Sequence, residues 1–239
     1  MKTVIKGLLF DKDGTLFDFR STWGSWTAQL LAELGAGDAS LTNRLAQVWG
    51  FDLIARDFLP GSMIIAETPE NMVKAIAAHL PDWKFEDLLQ HILVSSSHVP
   101  LIEAVPLQPL LREFRHRGLK IGLSTNDGEA PATAHLNATG IAGMFDFIAG
   151  SDSGFGGKPE PGMQHGFCAA VGLPAQQVAM VGDSLHDLVA GRAAGMRTIG
   201  VLTGMSEAKV LAPKADVVLN DIGKIPHLLD TDWNFARTT

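Results

Sequence analysis

The chain has 239 residues, a length that suits one large domain or a core with a smaller companion. Hydrophobic residues make up 46% and charged residues 19%, so a packed interior is expected and disorder is excluded. The formal net charge of −7 gives no electrostatic reason to bind nucleic acid or an anionic membrane, so an anionic ligand needs local positive groups or a metal to draw it in.

Thr3 to Phe10 is a short apolar run that reads as a buried parallel strand, closed by the turn Asp11-Lys12-Asp13-Gly14. The pattern then becomes helical. Trp23, Trp26, Leu30, Leu31 and Leu34 recur at 3- and 4-residue spacings before Gly35, and Leu41, Leu45 and Val48 repeat the theme. Thr68-Pro69-Glu70 predicts a helix start with Thr68 as cap, and Met72, Val73, Ile76 and Leu80 share a face behind it. A further helix is expected over Phe85 to Ser95.

After Pro100 helices and strands alternate. Helices are predicted over 107–117, 130–139, 164–171 and 184–194, each ended by a glycine. Strands are predicted over 120–124, 145–149, 178–181, 197–201 and 217–219. This pattern means right-handed βαβ units and a parallel sheet. The expected architecture is α/β: a doubly wound, Rossmann-like core of residues 1–17 and 100–239, with a helical domain of residues 18–99 inserted after the first strand. Ligands bind such sheets beyond the carboxyl ends of the strands.

The predicted strand ends carry Asp11 and Asp13, then Thr125, Asn126 and Asp127, then Lys158-Pro159 after a glycine-rich stretch, then Asp183, Ser184 and Asp187. Asp183 and Asp187 are four apart and are expected to share one helix face. Four carboxylates at one site cannot all ionise unaided, and a hard divalent cation such as Mg²⁺ resolves the repulsion. Thr125, Asn126 and Lys158 supply donors and a positive charge suited to a phosphate. Together they match phosphoryl transfer to a carboxylate.

Phe10-Asp11-Lys12-Asp13-Gly14-Thr15-Leu16, Ser124-Thr125-Asn126, Lys158-Pro159 and Gly182-Asp183-Ser184-Leu185-His186-Asp187 resemble the four motifs of the haloacid dehalogenase superfamily, in its order. The resemblance implies that Asp11 is the nucleophile and forms an aspartyl-phosphate. Asp13 would be the general acid and then base, with its backbone carbonyl on Mg²⁺. Thr125 would hold a phosphate oxygen with Asn126 beside it, and Lys158 would neutralise phosphate and nucleophile. Asp183 would bind Mg²⁺ directly and Asp187 from the first or second shell. Aspartate at position 13 favours a phosphatase or phosphomutase over a dehalogenase. The insert resembles the α-helical cap of the family's phosphoglycolate phosphatases and β-phosphoglucomutases. Gly162 departs from the acidic residue that often follows the Lys-Pro motif.

These readings imply a phosphatase of a small phosphorylated metabolite, phosphoglycolate-like or a sugar phosphate. A phosphoglucomutase-type transferase is the alternative. A receiver-like signalling module is disfavoured because its phosphoacceptor follows a later strand. Cys168 is the single cysteine, so no intramolecular disulfide forms, and mid-helix it reads as core. The amino terminus lacks a signal-peptide pattern, and no run reaches the ~20 apolar residues of a membrane span. The expectation is a cytoplasmic monomer or homodimer without nucleic-acid or membrane partners. Trp23 and Trp26 read as packing residues of the insert, and His186 as pointing away from the site. Arg20, Arg56 and Ser62 are candidates to meet the leaving group.

Overall fold

The computed structural model describes residues 4–231. The chain runs through β1 (Gly7–Phe10), α1 (Phe19–Gly35), α2 (Ala39–Trp49), β2 (Phe51–Asp52), β3 (Asp57–Phe58), α3 (Pro69–Ile76) and α4 (Phe85–Ser96). It continues with α5 (Leu107–His116), β4 (Lys120–Ser124), α6 (Glu129–Ala138), β5 (Phe147–Ala149), α7 (Gly162–Val171), β6 (Val178–Gly182), α8 (Leu185–Ala193), β7 (Arg197–Val201), α9 (Ala208–Leu211), β8 (Val217–Leu219) and α10 (Ile225–Asp230).

Six strands form one parallel sheet in the order β5-β4-β1-β6-β7-β8. The fold is α/β and doubly wound. β1 lies at the centre, where Phe10 registers with Leu123 of β4 on one side and Val181 of β6 on the other. Successive side chains of a strand point to opposite faces, and both faces here are buried. Leu8, Phe10, Ala179 and Val181 join the core under α5, α6 and α10, while Leu9, Val178 and Met180 pack with Phe167 of α7 on the other face. Cys168 is half-buried at the edge of that second core and takes no part in the site.

α1 to α4 build a separate core around Leu31, Leu45, Trp49, Val73 and Ile76. The buried Trp49 indole donates to the Met72 carbonyl at 3.1 Å, which satisfies its one polar group. As its sequence predicts, α3 starts with Thr68 as cap, whose hydroxyl accepts from Asn71 N, and Pro69 in its first turn. The segments entering and leaving the helical insert pair side by side: Asp18 N–H donates to Ile102 at 2.8 Å and Ala104 N–H to Leu16 at 2.9 Å.

Some boundaries differ from the sequence reading. β1 starts at Gly7, and Thr3 lies outside the described residues. The β2–β3 hairpin was not foreseen, because two-residue strands carry no alternation to read; Asp52 organises its turn by accepting from Ile54 and Ala55 N–H. β5 starts two residues late, after a single 3₁₀ turn over Ala142–Met144. Ser184 is a cap of α8 and not a helical residue.

Candidate active site

Strand order reverses about β1, so a crevice opens beyond the carboxyl ends of β1, β4 and β6. Asp11 N–H still donates to Val181 at 2.8 Å, so the pairing of β1 with β6 holds the carboxylate one residue past the strand. Beyond it the chain turns tightly, with Gly14 N–H on the Phe17 carbonyl and Leu16 N–H on that of Lys12. Gly14 adopts φ +77, a left-handed conformation that favours glycine. At the end of β4, Thr125 N–H donates to Ala149 at 3.0 Å and fixes the next turn.

Lys158 is the hub of the crevice. Its buried ammonium donates to Asp11 Oδ1 at 2.5 Å, Asp187 Oδ1 at 2.6 Å and the Ser124 carbonyl at 2.9 Å, which spends all three of its donors. Asp187 closes a capping box at the start of α8, accepting on Oδ2 from both Ser184 N–H and Ser184 Oγ. Asp183 precedes that helix. It meets Asp187 through the strand-to-helix turn, not through helical spacing as the sequence suggested. Ligand oxygens of Asp11, Asp183 and Asp187 all lie within 4.8 Å of one another, and all three residues are buried.

Three carboxylates thus face one ammonium in a buried site. Burial pushes Asp11 up to about 7 against the pull of the Lys158 charge, and the Asp187 charge adds a smaller push in the same direction as burial. Burial and the charges of Asp187 and Asp11 hold Asp183 well above its ordinary range. Burial works against the Lys158 charge, but Asp11 and Asp187 overcome it and raise its pKa. Asp183 makes no ion pair with a lysine or arginine among the described residues. The backbone crowds its carboxylate instead: a Cβ on Gly204 would lie 1.7 Å from Asp183 Oδ2, and one on Gly14 2.6 Å from it. An oxygen-only, buried donor set short of positive charge fits a hard divalent cation such as Mg²⁺.

Asp13 is turned from that cluster toward Lys12, 2.7 Å away, and its Oδ1 is buried without a partner. Lys12 is fully buried, 3.1 Å from Asp127 Oδ2, 3.1 Å from His135 Nδ1 and 5.0 Å from the centroid of Trp23. Burial alone would lower Lys12, but Asp13 and Asp127 raise it, so it stays charged. Burial and the Lys12 charge lower His135. Its neutral ring accepts from Lys12 on Nδ1 and donates from Nε2 to the Ser96 carbonyl at 2.8 Å. A carbonyl only accepts, which sets the tautomer.

Thr125 is buried and its hydroxyl accepts from Asp127 N–H at 3.1 Å, leaving the hydroxyl hydrogen to give. Asn126 is committed as a brace. Its Oδ1 accepts from Lys158 N–H at 2.7 Å, and its Nδ2 donates to the carbonyls of Lys158 at 2.9 Å and Ala66 at 2.7 Å. All seven residues picked from the sequence, Asp11, Asp13, Thr125, Asn126, Lys158, Asp183 and Asp187, line one pocket. Its roof comes from the helical insert.

The candidates for the leaving group fare differently. Arg20 and Arg56 do not line this pocket. Arg20 is exposed and sits 3.2 Å from Asp57, and Ser62 gives its hydroxyl to the Trp49 carbonyl at 2.7 Å. Trp23 and Trp26 stack edge to face in the core of the insert and also wall the pocket. His186 corrects its sequence reading: it lines the pocket, with Nδ1 buried and unpartnered. Sequence reasoning also passed over Thr203 and Gly204. Thr203 Oγ1 donates to the Gly14 carbonyl at 2.6 Å, and the position of this pair just past β7 was the available signal. Lys12, Asp127 and His135 had no signal, because only the fold brings them together.

Residues 8–201 match the family model described as haloacid dehalogenase-like hydrolase. A phosphoglycolate phosphatase of Rhodospirillum rubrum is 28% identical over 228 residues, 92% of this chain and 89% of that protein. The crystal structure of a predicted phosphoglycolate phosphatase from Haemophilus somnus superposes with a TM-score of 0.71 at 20% identity, covering 94% of this chain and 97% of that one. A phosphatase structure from Thermococcus onnurineus gives a TM-score of 0.66 at 21% identity, with 94% and 98% covered. At these identities the two structures speak for the fold alone.

Proposed function

The chain belongs to the haloacid dehalogenase-like hydrolases and is a phosphatase, and from that premise we propose that it hydrolyses a small phosphate monoester with Mg²⁺ through an aspartyl-phosphate on Asp11. The observation that carries this reading is the buried convergence of Asp11, Asp183 and Asp187 on Lys158, in the pocket that also holds Asp13 and Thr125.

In this reading an oxygen of Asp11 attacks phosphorus while Asp13 gives a proton to the leaving oxygen. Asp13 then takes a proton from the water that attacks the aspartyl-phosphate, which releases phosphate and restores Asp11. Lys158 neutralises charge on Asp11 and on the phosphoryl oxygens, and the Thr125 hydroxyl donates to one of those oxygens. Asn126 stands beside it and holds the Lys158 backbone in place. Asp11, Asp183 and the backbone carbonyl of Asp13 would hold Mg²⁺, with Asp187 in support. The ion supplies charge neutralisation for the phosphoryl oxygens. The helical insert, residues 18–99, acts as a cap that excludes bulk water.

The test is release of inorganic phosphate from a panel of monoesters, with and without Mg²⁺, by the wild type and Asp11→Asn. Release that needs both Mg²⁺ and Asp11, without any bisphosphate activator, supports a phosphatase over a mutase. Equal release by Asp11→Asn overturns the mechanism.

A further inference from the structure

The phosphatase reading leaves the leaving group open, and the roof of the pocket bears on it. Resting on that reading, we propose that the pocket selects phosphate monoesters of uncharged, apolar alcohols, aliphatic or aromatic, and rejects leaving groups that carry a carboxylate or several hydroxyls.

The part of the pocket facing away from the carboxylates is walled by Phe19, Trp23, Trp26, Ile65, Met72 and Ile92. Among the described residues that line the pocket, the only lysine or arginine is Lys158, and its three donors are spent on Asp11, Asp187 and Ser124. The basic side chains nearby are engaged elsewhere. Lys12 is shut beneath Asp13 with no exposed surface, and Arg20 is paired with Asp57 outside the pocket. The charged residue that the insert does contribute to the lining is Glu67, an acid.

Roof polar groups are also taken. Trp26 Nε1 donates to Ser95 Oγ at 3.3 Å, and Ser96 Oγ donates to the Leu93 carbonyl at 3.0 Å. A carboxylate on the leaving group would therefore be desolvated against indole and aliphatic walls, without a cation and beside Glu67. A sugar would leave several hydroxyls unpartnered for the same reason. His186 Nδ1, buried without a partner, offers one hydrogen bond. An apolar body on the walls with one polar contact is the usual composition of a small-molecule pocket. The proposal parts company with the phosphoglycolate in the name of the Rhodospirillum rubrum relative, an ester whose leaving alcohol carries a carboxylate.

The experiment compares kcat/KM for benzyl phosphate, its 4-carboxy derivative, glucose 6-phosphate and 2-phosphoglycolate, all with Mg²⁺. Benzyl phosphate is expected to exceed each of the other three by about 100-fold or more, because an unpaired buried polar group is what separates them. A second readout needs no turnover: in Asp11→Asn, benzylphosphonate is expected to quench tryptophan fluorescence through Trp23 and Trp26 at concentrations where phosphonoacetate does not. Ile65→Arg is expected to shift preference toward 2-phosphoglycolate by about 10-fold, since it adds the missing cation. Parity of 2-phosphoglycolate or glucose 6-phosphate with benzyl phosphate, while Asp11→Asn is inactive, overturns this proposal and leaves the phosphatase reading standing. Turnover that survives in Asp11→Asn, or no turnover of any ester, overturns both.

Discussion

Replacing Lys12 with methionine keeps an unbranched side chain one atom shorter and removes its charge. In the folded protein that charge lies 2.7 Å from Asp13 Oδ2, 3.1 Å from Asp127 Oδ2 and 5.0 Å from the Trp23 ring, with none of it exposed. The variant strands two nearly buried carboxylates that then face each other. Breaking a buried pair from one side costs about 3–5 kcal/mol. Total stability is only about 5–15 kcal/mol, so this is a large fraction. For a chain of this size, about 2–4 °C per kcal/mol translates the loss into a fall of roughly 6–20 °C in Tm. The assay is thermal unfolding followed by circular dichroism, with Asp127→Asn and the double variant alongside. The double variant removes one of the stranded charges, and a coupling of at least about 1 kcal/mol is expected. Because Lys12 also aims Asp13, kcat is expected to fall by about 10–100-fold in whatever protein remains folded. A loss under about 1 kcal/mol, or a double variant no better than the sum of the singles, refutes the reasoning.

Other outcomes follow from the same geometry. Gly204→Ala puts a methyl group where Asp183 Oδ2 sits, so Mg²⁺ affinity measured by titration calorimetry is expected to fall at least about 10-fold; unchanged affinity would remove Asp183 from the metal site. Without metal, the raised pKa of Asp11 makes the folded state hold a proton that the unfolded state releases, so stability is lost as pH rises from the ordinary carboxylate value of 3.8 through about 7. Tm of the metal-free protein is thus expected to drop between pH 5 and pH 8, less so in Asp11→Asn, and Mg²⁺ is expected to restore it; a flat profile contradicts the burial argument. Asp146 has the opposite sign. Burial alone would raise it, but the Ile121 N–H and the charges of Arg115 and Lys120 hold it below 3.8. Its contribution is present above the ordinary carboxylate value and disappears as pH falls through the lowered one, so the stability gap between wild type and Asp146→Asn should close in acid denaturation below about pH 4. Asn126→Ala cuts the bonds from Asn126 to Ala66 and Lys158, and kcat/KM is expected to drop by about 10-fold or more, with Mg²⁺ affinity little changed.

The local rules were legible because they are local. Apolar runs bounded by glycine and acid marked every strand of the sheet, and Thr68-Pro69 marked a helix start, because backbone geometry and solvation act over a few residues. The rule that ligands sit beyond strand ends then groups Asp11, Thr125, Lys158 and Asp183 from sequence alone. What each side chain does with its hydrogen bonds was not legible, since a donor has several acceptors within reach and only packing chooses among them. Asn126 went to the Lys158 backbone and Ala66, Asp187 to its own cap, and Lys12 to Asp127 and His135 across more than a hundred residues of chain. The roof of the pocket was beyond sequence for the same reason. Trp26, Ile65 and Glu67 line it only because the insert folds back over the sheet, and Arg20, one of the three leaving-group candidates by sequence, is paired with Asp57. The residues that line the strand ends thus come from short motifs, while the walls of the roof are assembled by long-range contacts that no motif encodes.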